Sequence, residues 1–264
     1  DAWLHGRPWV EAVASALSTR GARLVPVDRN PVDAVWADRP APSNAPALVH
    51  GEEHAGRSAS EKRAAVAEWL AERKLDAAVV SALDSIAWLL NIRGADVDRT
   101  PVALSFVLAH ADGTADLFIA PEKVTDALRA HLGNRVALYD RADFAQALEN
   151  DYAGARVAVD PERAVAAIFD RLEQGGAIVD AVREPVVLAK AIKNPAEIAG
   201  HDAAQLRDGA ALTRFLHWIA GEGPKGTQTE LSAADRLRRF REETGCLVDL
   251  SFDTISGAGP NGAI

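Results

Sequence analysis

The stretch AAVVSALDSIAWLLNIRGADVDRTPVALSFVLAHADGTADLFI, residues 77–119, decides the fold. Ala77-Ala78-Val79-Val80 is a short apolar run of strand length. Ser81 and Asp84 then offer caps to a helix through Ile86-Ala87-Trp88-Leu89-Leu90, which Asn91 and Gly94 end. Residues 100–110 are β-rich, and Ala111-Asp112-Gly113-Thr114 is a hairpin signal leading into the strand Ala115-Asp116-Leu117-Phe118-Ile119. A strand, a helix and an antiparallel hairpin in succession predict an α/β unit with a mixed sheet.

Upstream, residues 8–20 place Trp9, Val10, Val13 and Leu17 at helical spacing, with Pro8 in the first turn and Gly21 as a stop. Leu24-Val25-Pro26-Val27 reads as a short strand and residues 30–36 as a helical turn. Pro40, Pro42 and Pro46 then favour an extended linker, which places a domain boundary near residue 46. Ser58 or Ser60 caps a helix to Arg73 whose inward face carries Val66, Trp69 and Leu70.

Downstream the alternation continues. Helices are expected over 122–132 and 142–148, strands over 136–139, 156–160 and 177–179, and a helix opened by Pro161 and running to Leu172. Residues 47–186 thus predict a mixed sheet flanked by helices. From Lys193 long helices take over: Asn194, Pro195 and Glu197 form a capping box for one of about six turns, and Gln228 or Thr229 starts another over 230–243.

The chain closes on LVDLSFDTISGAGPNGAI, residues 247–264, read as a strand over 247–252, a Gly-rich turn and the start of a second strand at Ile264. With no Met among 264 residues and an abrupt opening on Asp1-Ala2-Trp3, the sequence reads as a piece of a longer protein whose chemistry lies past its last residue.

Composition bounds the function classes. At 48% hydrophobic and 25% charged the chain is of ordinary globular type, and its net charge of −9 argues against nucleic acid as a partner. The single Cys246 leaves no intramolecular disulfide and no Cys-based zinc site, which suits a reducing cytoplasm; beside a strand it reads as a small buried hydrophobe, with a nucleophile as the alternative. No apolar run reaches the roughly 18 residues that span a bilayer.

Few residues advertise chemistry. No G-x-S-x-G elbow, GxGxxG or P-loop occurs. The Gly-rich turn after Ile255 offers backbone N–H groups to an anion, with a plain turn as the commoner reading. His50 and His54 have i, i+4 spacing but sit in an apparent loop without a third ligand, so solvated histidines are expected. His201 falls on a surface turn and His217 beside Trp218 on a helix. Arg93, in the polar interruption 91–99, is the candidate substrate-binding residue, because a guanidinium makes bidentate pairs with carboxylates; the competing reading is a local salt bridge to Asp96 or Asp98.

Beyond these readings, residues 83–96 (LDSIAWLLNIRGAD), DAVWADRP at 33–40, Lys193-Asn194-Pro195-Ala196-Glu197, DGAA at 208–211, ELSAAD at 230–235 and above all the terminal SFDTISGAGPNGAI resemble the Xaa-Pro aminopeptidase (aminopeptidase P) family in collinear order. The resemblance implies two creatinase-type N-terminal domains and a pita-bread catalytic domain of α+β type that holds two divalent metal ions, usually manganese. On that pattern residues 1–46 are the end of the first domain, 47–186 the second, and 187–264 the entry helices and first strand of the third.

It also implies hydrolysis of the bond between an N-terminal residue and proline, a cytoplasmic homodimer, and peptides with proline at the second position as substrates. The family's catalytic histidine and its metal ligands follow the NGAI motif, so no catalytic or metal-ligating residue is assigned within residues 1–264, no metal is expected on this chain, and the chain alone is expected to be inactive. A creatinase or prolidase relative and a non-catalytic interaction or dimerisation module are the alternatives.

Overall fold

The computed structural model describes residues 1–27 and 30–262. It divides into two units, Asp1–Val97 with Pro101–Ile192, and Asp98–Thr100 with Lys193–Ile264. The first unit begins with α1 (Arg7–Ser18), where Pro8 sits in the first turn, and α2 (Pro31–Val35), whose cap Asn30 accepts the Val32 N–H at 3.0 Å. The strand expected at residues 24–27 does not form, because among the described residues no backbone pairs with this exposed stretch.

Next come β1 (Leu48–Val49), α3 (Glu52–Ala55) and α4 (Ala59–Arg73). Ser58 caps α4 in a reciprocal box with Glu61, satisfying two of the N–H groups that a helix start leaves without partners. β2 (Ala77–Val80) is buried throughout and leads to α5 (Leu83–Leu90). Ala82 precedes α5 without a side-chain cap, because Asp84, expected as a cap, instead pairs with Lys190 and Arg163. Asn91 ends α5 in the left-handed region, φ 52°, which a short amide side chain tolerates.

β3 (Ile92–Arg93) pairs antiparallel with β1. β4 (Ser105–His110) and β5 (Ala115–Ile119) form the expected hairpin, closed by the His110 N–H to Thr114 carbonyl bond at 3.0 Å, with Gly113 supplying φ +82°. The helix expected over 122–132 splits: a 3-10 turn at Pro121–Lys123 comes first, and Thr125 then caps α6 (Asp126–Leu132). β6 (Val136–Tyr139), α7 (Phe144–Asn150) and β7 (Arg156–Val159) follow. Pro161 does not open the next helix. The Asp160 carboxylate and carbonyl bind the N–H groups of Glu162, Arg163 and Ala164 in a turn, and α8 (Ala166–Gln174) starts after it. β8 (Ile178–Ala181) and α9 (Val186–Ala191) close the unit.

The six-stranded sheet runs β6-β5-β4-β2-β7-β8, with β2–β7, β7–β8 and β5–β6 parallel and the rest antiparallel. Strand alternation sends Ala78 and Val80 to a core with Leu70, Ile86, Leu89 and Leu128, and Ala77 and Val79 to a second core with Phe144, Ile168, Phe169 and Leu172. The mixed sheet flanked by helices is therefore as the sequence predicts, and AAVV lies at its centre because both its faces are covered.

The second unit is built on α10 (Pro195–Glu222), 28 residues long, and α11 (Glu230–Glu242). Asn194 and Glu197 make the expected capping box, and Thr229 caps α11. The strand expected over 247–252 does not form. A strand needs a neighbouring ladder for its N–H and C=O groups, and no described residue provides one: Val248 is 99% exposed and Ile255 91%. Cys246, expected buried, is exposed for the same reason. The strand start expected at Ile264 lies outside the described residues.

Candidate functional site

Arg93, the substrate-binding candidate, sits at the end of α5 on β3. Its Nη1 donates to the carbonyls of Ala87 at 3.1 Å and Ile92 at 2.9 Å, so the guanidinium satisfies the carbonyl end of the helix that precedes it. The alternative partner Asp96 is committed elsewhere. It is bonded to Lys123 in a buried ion pair and accepts the Leu104 N–H at 2.6 Å. Burial alone would raise the Asp96 carboxyl; hydrogen bonds from Lys123, Leu104 and Ser43, with the Lys123 charge, outweigh it and hold it below the usual carboxylate range.

Gly94, next to Arg93, is required by close approach. A Cβ there would stand 2.6 Å from the Ala103 nitrogen.

His50 and His54 lie against this corner. The His50 N–H donates to the Asn91 carbonyl at 2.8 Å, and the two rings are 5.7 Å apart. His54 is exposed, as expected of a solvated histidine, but His50 is half-buried. Burial pushes its imidazole down to about 4, and the charges of Arg93, His54 and Lys62 push the same way. Beneath it Lys62, 1% exposed, donates from Nζ to Asn91 Oδ1 at 2.6 Å and to the Trp88 carbonyl at 3.0 Å, and lies 4.2 Å from the Trp88 ring centre.

Sequence reasoning passed over Lys62. Its signal was available, since Lys62 falls one turn before Val66 and two before Leu70 and Trp69, on the face expected to point inward.

A second polar cluster that the sequence reading missed lies past the ends of β7 and β8. The buried Asp160 carboxylate accepts the Glu162 and Glu184 N–H groups, each at 2.9 Å. Glu184 is 5% exposed and its Oε1 has no partner among the described residues. Burial pushes its carboxyl up to about 7, and nearby Asp160 adds to that while Ser85 and Arg163 oppose it. Short-range sequence patterns carry no sign of this cluster, because its members meet only through the parallel pairing of β7 and β8.

In the second unit the Gly-rich turn is filled by the protein itself. The Glu230 carboxylate accepts the Ala258 N–H at 2.5 Å and Asn261 Nδ2 at 3.3 Å, so these groups face an internal acid rather than a bound anion. Gly257 has no room for a Cβ, which would lie 2.8 Å from the Asn261 carbonyl oxygen. Arg99 binds Asp249 at 2.5 Å and Asp253 at 2.9 Å. His201 and His217 are exposed on α10.

Among the described residues no three His, Cys, Asp or Glu side chains stand together as a metal site. His50 and His54, whose rings lie 5.7 Å apart, have cationic Arg93 and Lys62 beside them, which opposes a divalent ion. The described residues do not fit a metal centre.

Residues 38–197 match the model of the creatinase/prolidase N-terminal domain. A probable Xaa-Pro aminopeptidase P of Aspergillus flavus is 39% identical over 96% of this chain and 40% of its own length. The crystal structure of the X-prolyl aminopeptidase of Caenorhabditis elegans, described as a cytosolic enzyme with a di-nuclear active site, superposes with a TM-score of 0.86 at 32% identity, over 96% of this chain and 42% of that one. An Xaa-Pro dipeptidase of Bacillus anthracis, at 16% identity and a TM-score of 0.53 over 71% of this chain and 50% of that one, shares the fold. The chain thus spans about two fifths of the length of these aminopeptidase relatives. With a match that covers the mixed sheet and its flanking helices, the chain belongs to the creatinase/prolidase N-terminal domain family.

Proposed function

We propose that these residues are the N-terminal part of an Xaa-Pro aminopeptidase, a metallopeptidase that hydrolyses the bond between an N-terminal residue and proline. The observation that carries this is that the likeness to aminopeptidases of that specificity runs along both units and is not confined to the sheet.

Within that enzyme residues 1–46 end a first creatinase-type domain, 47–186 form the second, and 187–264 open the pita-bread domain. Two divalent ions, manganese by preference, are held by other residues of that enzyme, and residues 1–264 alone are inactive. Their contribution is a scaffold, with Arg93 offered to a substrate carboxylate or to a neighbouring domain. The enzyme works in the cytoplasm as a homodimer on peptides with proline at the second position.

The test is to treat the whole protein with a chelator, restore manganese, and follow release of the N-terminal residue from an Xaa-Pro peptide beside the same assay on residues 1–264. Activity that returns with metal in the whole protein and is absent from the shorter chain supports the reading. Turnover by residues 1–264 overturns the assignment of the metal site elsewhere. For Arg93, R93A raising KM with kcat preserved supports a substrate contact; unchanged kinetics removes it.

A further inference from the structure

The strand order places a crevice where two neighbouring strands send their helices to opposite faces. β2 and β7 are adjacent and parallel. The chain leaves β2 for α5, whose Ile86 and Leu89 pack on one face of the sheet, and leaves β7 for α8, whose Ile168 and Phe169 pack on the other. In open α/β sheets the gap at the carboxyl ends of such a strand pair is where ligands bind, because the two connections diverge and leave it uncovered.

In this protein that gap is a cavity of about 440 Å³, within the size range of small-molecule sites. Ser81, directly after β2, and Arg163 and Val165, between β7 and α8, line it. The Ser81 hydroxyl donates to the Arg163 carbonyl at 3.3 Å and ties the two connections together.

The lining has two chemical characters. Trp3, Phe106 and Phe144 form an aromatic wall, with Phe106 and Phe144 stacked at 4.0 Å and Trp3 6.3 Å from each. Two arginines share that lining. Arg141 lies 5.0 Å from the Phe106 ring centre and makes no ion pair among the described residues. Arg163 reaches Asp84 only at 3.7 Å, and Asp84 is bonded to Lys190 as well. Among the described residues no acidic side chain lines the cavity. Arginines favour an oxyanion, since their forked N–H groups match carboxylate and phosphate geometry, and aromatic faces favour a flat apolar body.

We propose that this crevice binds a small ligand in which a carboxylate or phosphate is joined to a flat apolar group. The oxyanion is held by Arg141 and Arg163 and the flat group lies against Trp3. The proposal is independent of the peptidase reading, since no part of it draws on peptide hydrolysis.

Calorimetric titration of the chain with indole-3-acetate, phenyl phosphate and the neutral 3-methylindole tests it. At least one of the two anions binds saturably, about tenfold or more tighter than 3-methylindole, the scale expected of charge-assisted hydrogen bonds, and the tighter anion names the oxyanion. R163A weakens that binding by about tenfold. Because R163A also frees Asp84, R141E at an exposed position serves as the second variant: it abolishes binding while its thermal transition stays that of the parent. Binding of neither anion, equal binding of 3-methylindole, or R141E binding as the parent does would each overturn the proposal.

Discussion

Lys62 Nζ and Asn91 Oδ1 form a 2.6 Å hydrogen bond between side chains that are 1% and 0% exposed. This bond fastens the start of α4 to the left-handed end of α5, directly under His50 and Arg93. An ammonium so deeply buried is tolerable only while its acceptors remain.

Removing the acceptor therefore costs more than removing the charge. N91A is expected to destabilise the protein by about 3 kcal/mol, since a buried cation loses a partner, and K62M by about 2 kcal/mol, since a neutral amide is left short of a bond. The double variant falls below the sum of the two. Urea denaturation followed by circular dichroism checks the set, and strict additivity would mean that the pair is not coupled.

Glu184 gives stability an alkaline limit. Its carboxyl titrates near 7 in the folded protein against an ordinary 4.5, so the folded state favours the neutral form. That contribution is fully present below about pH 4.5 and is lost as pH rises through 7, for a total of about 3 kcal/mol. E184Q, neutral at every pH, should be more stable than the parent at pH 8 and should lose the slope between pH 5 and 8. Parallel stability curves for the two proteins would contradict this.

His50 acts in the opposite direction. With its imidazole held down to about 4 from an ordinary 6.5, its stabilising contribution is present above pH 6.5 and is lost as pH falls through 4. A histidine NMR titration should show a His50 midpoint near 4, and H50Q should flatten the acid limb of the stability curve. A midpoint at or above 6 would remove the burial and the Arg93 and Lys62 charges as causes.

Hydrogen exchange should separate the two units. The first buries two apolar cores around its sheet, whereas in α10 and α11 only Ala211 and Phe240 are buried. Amides of 193–262 are therefore expected to exchange faster than those of β2, β4 and β7. Equal protection would show that the apolar side chains of α10 are covered in solution.

The elements legible in the sequence are those whose causes are local. AAVV reads as a strand because nothing polar interrupts it, Asp112-Gly113 marks the hairpin, and Asn194 with Glu197 marks the start of α10. What misled was non-local. Pro161 looked like a helix start, but Asp160 gathers the following N–H groups into a turn while also binding Glu184 across β8. Residues 247–252 have the pattern of a strand without a partner strand to pair with. Of the candidate residues, Arg93 was visible as a charge in a polar loop, whereas its role at the carbonyl end of α5 and the burial of Lys62 follow from packing.

We propose that these residues belong to an enzyme that removes an N-terminal residue preceding proline. The most direct measurement compares the whole protein, supplied with manganese, on two peptides that differ only in having proline or alanine at the second position. Release of the N-terminal residue from the proline peptide, with little or none from the alanine peptide, is the predicted result. Equal cleavage of both, or cleavage of neither, would contradict it.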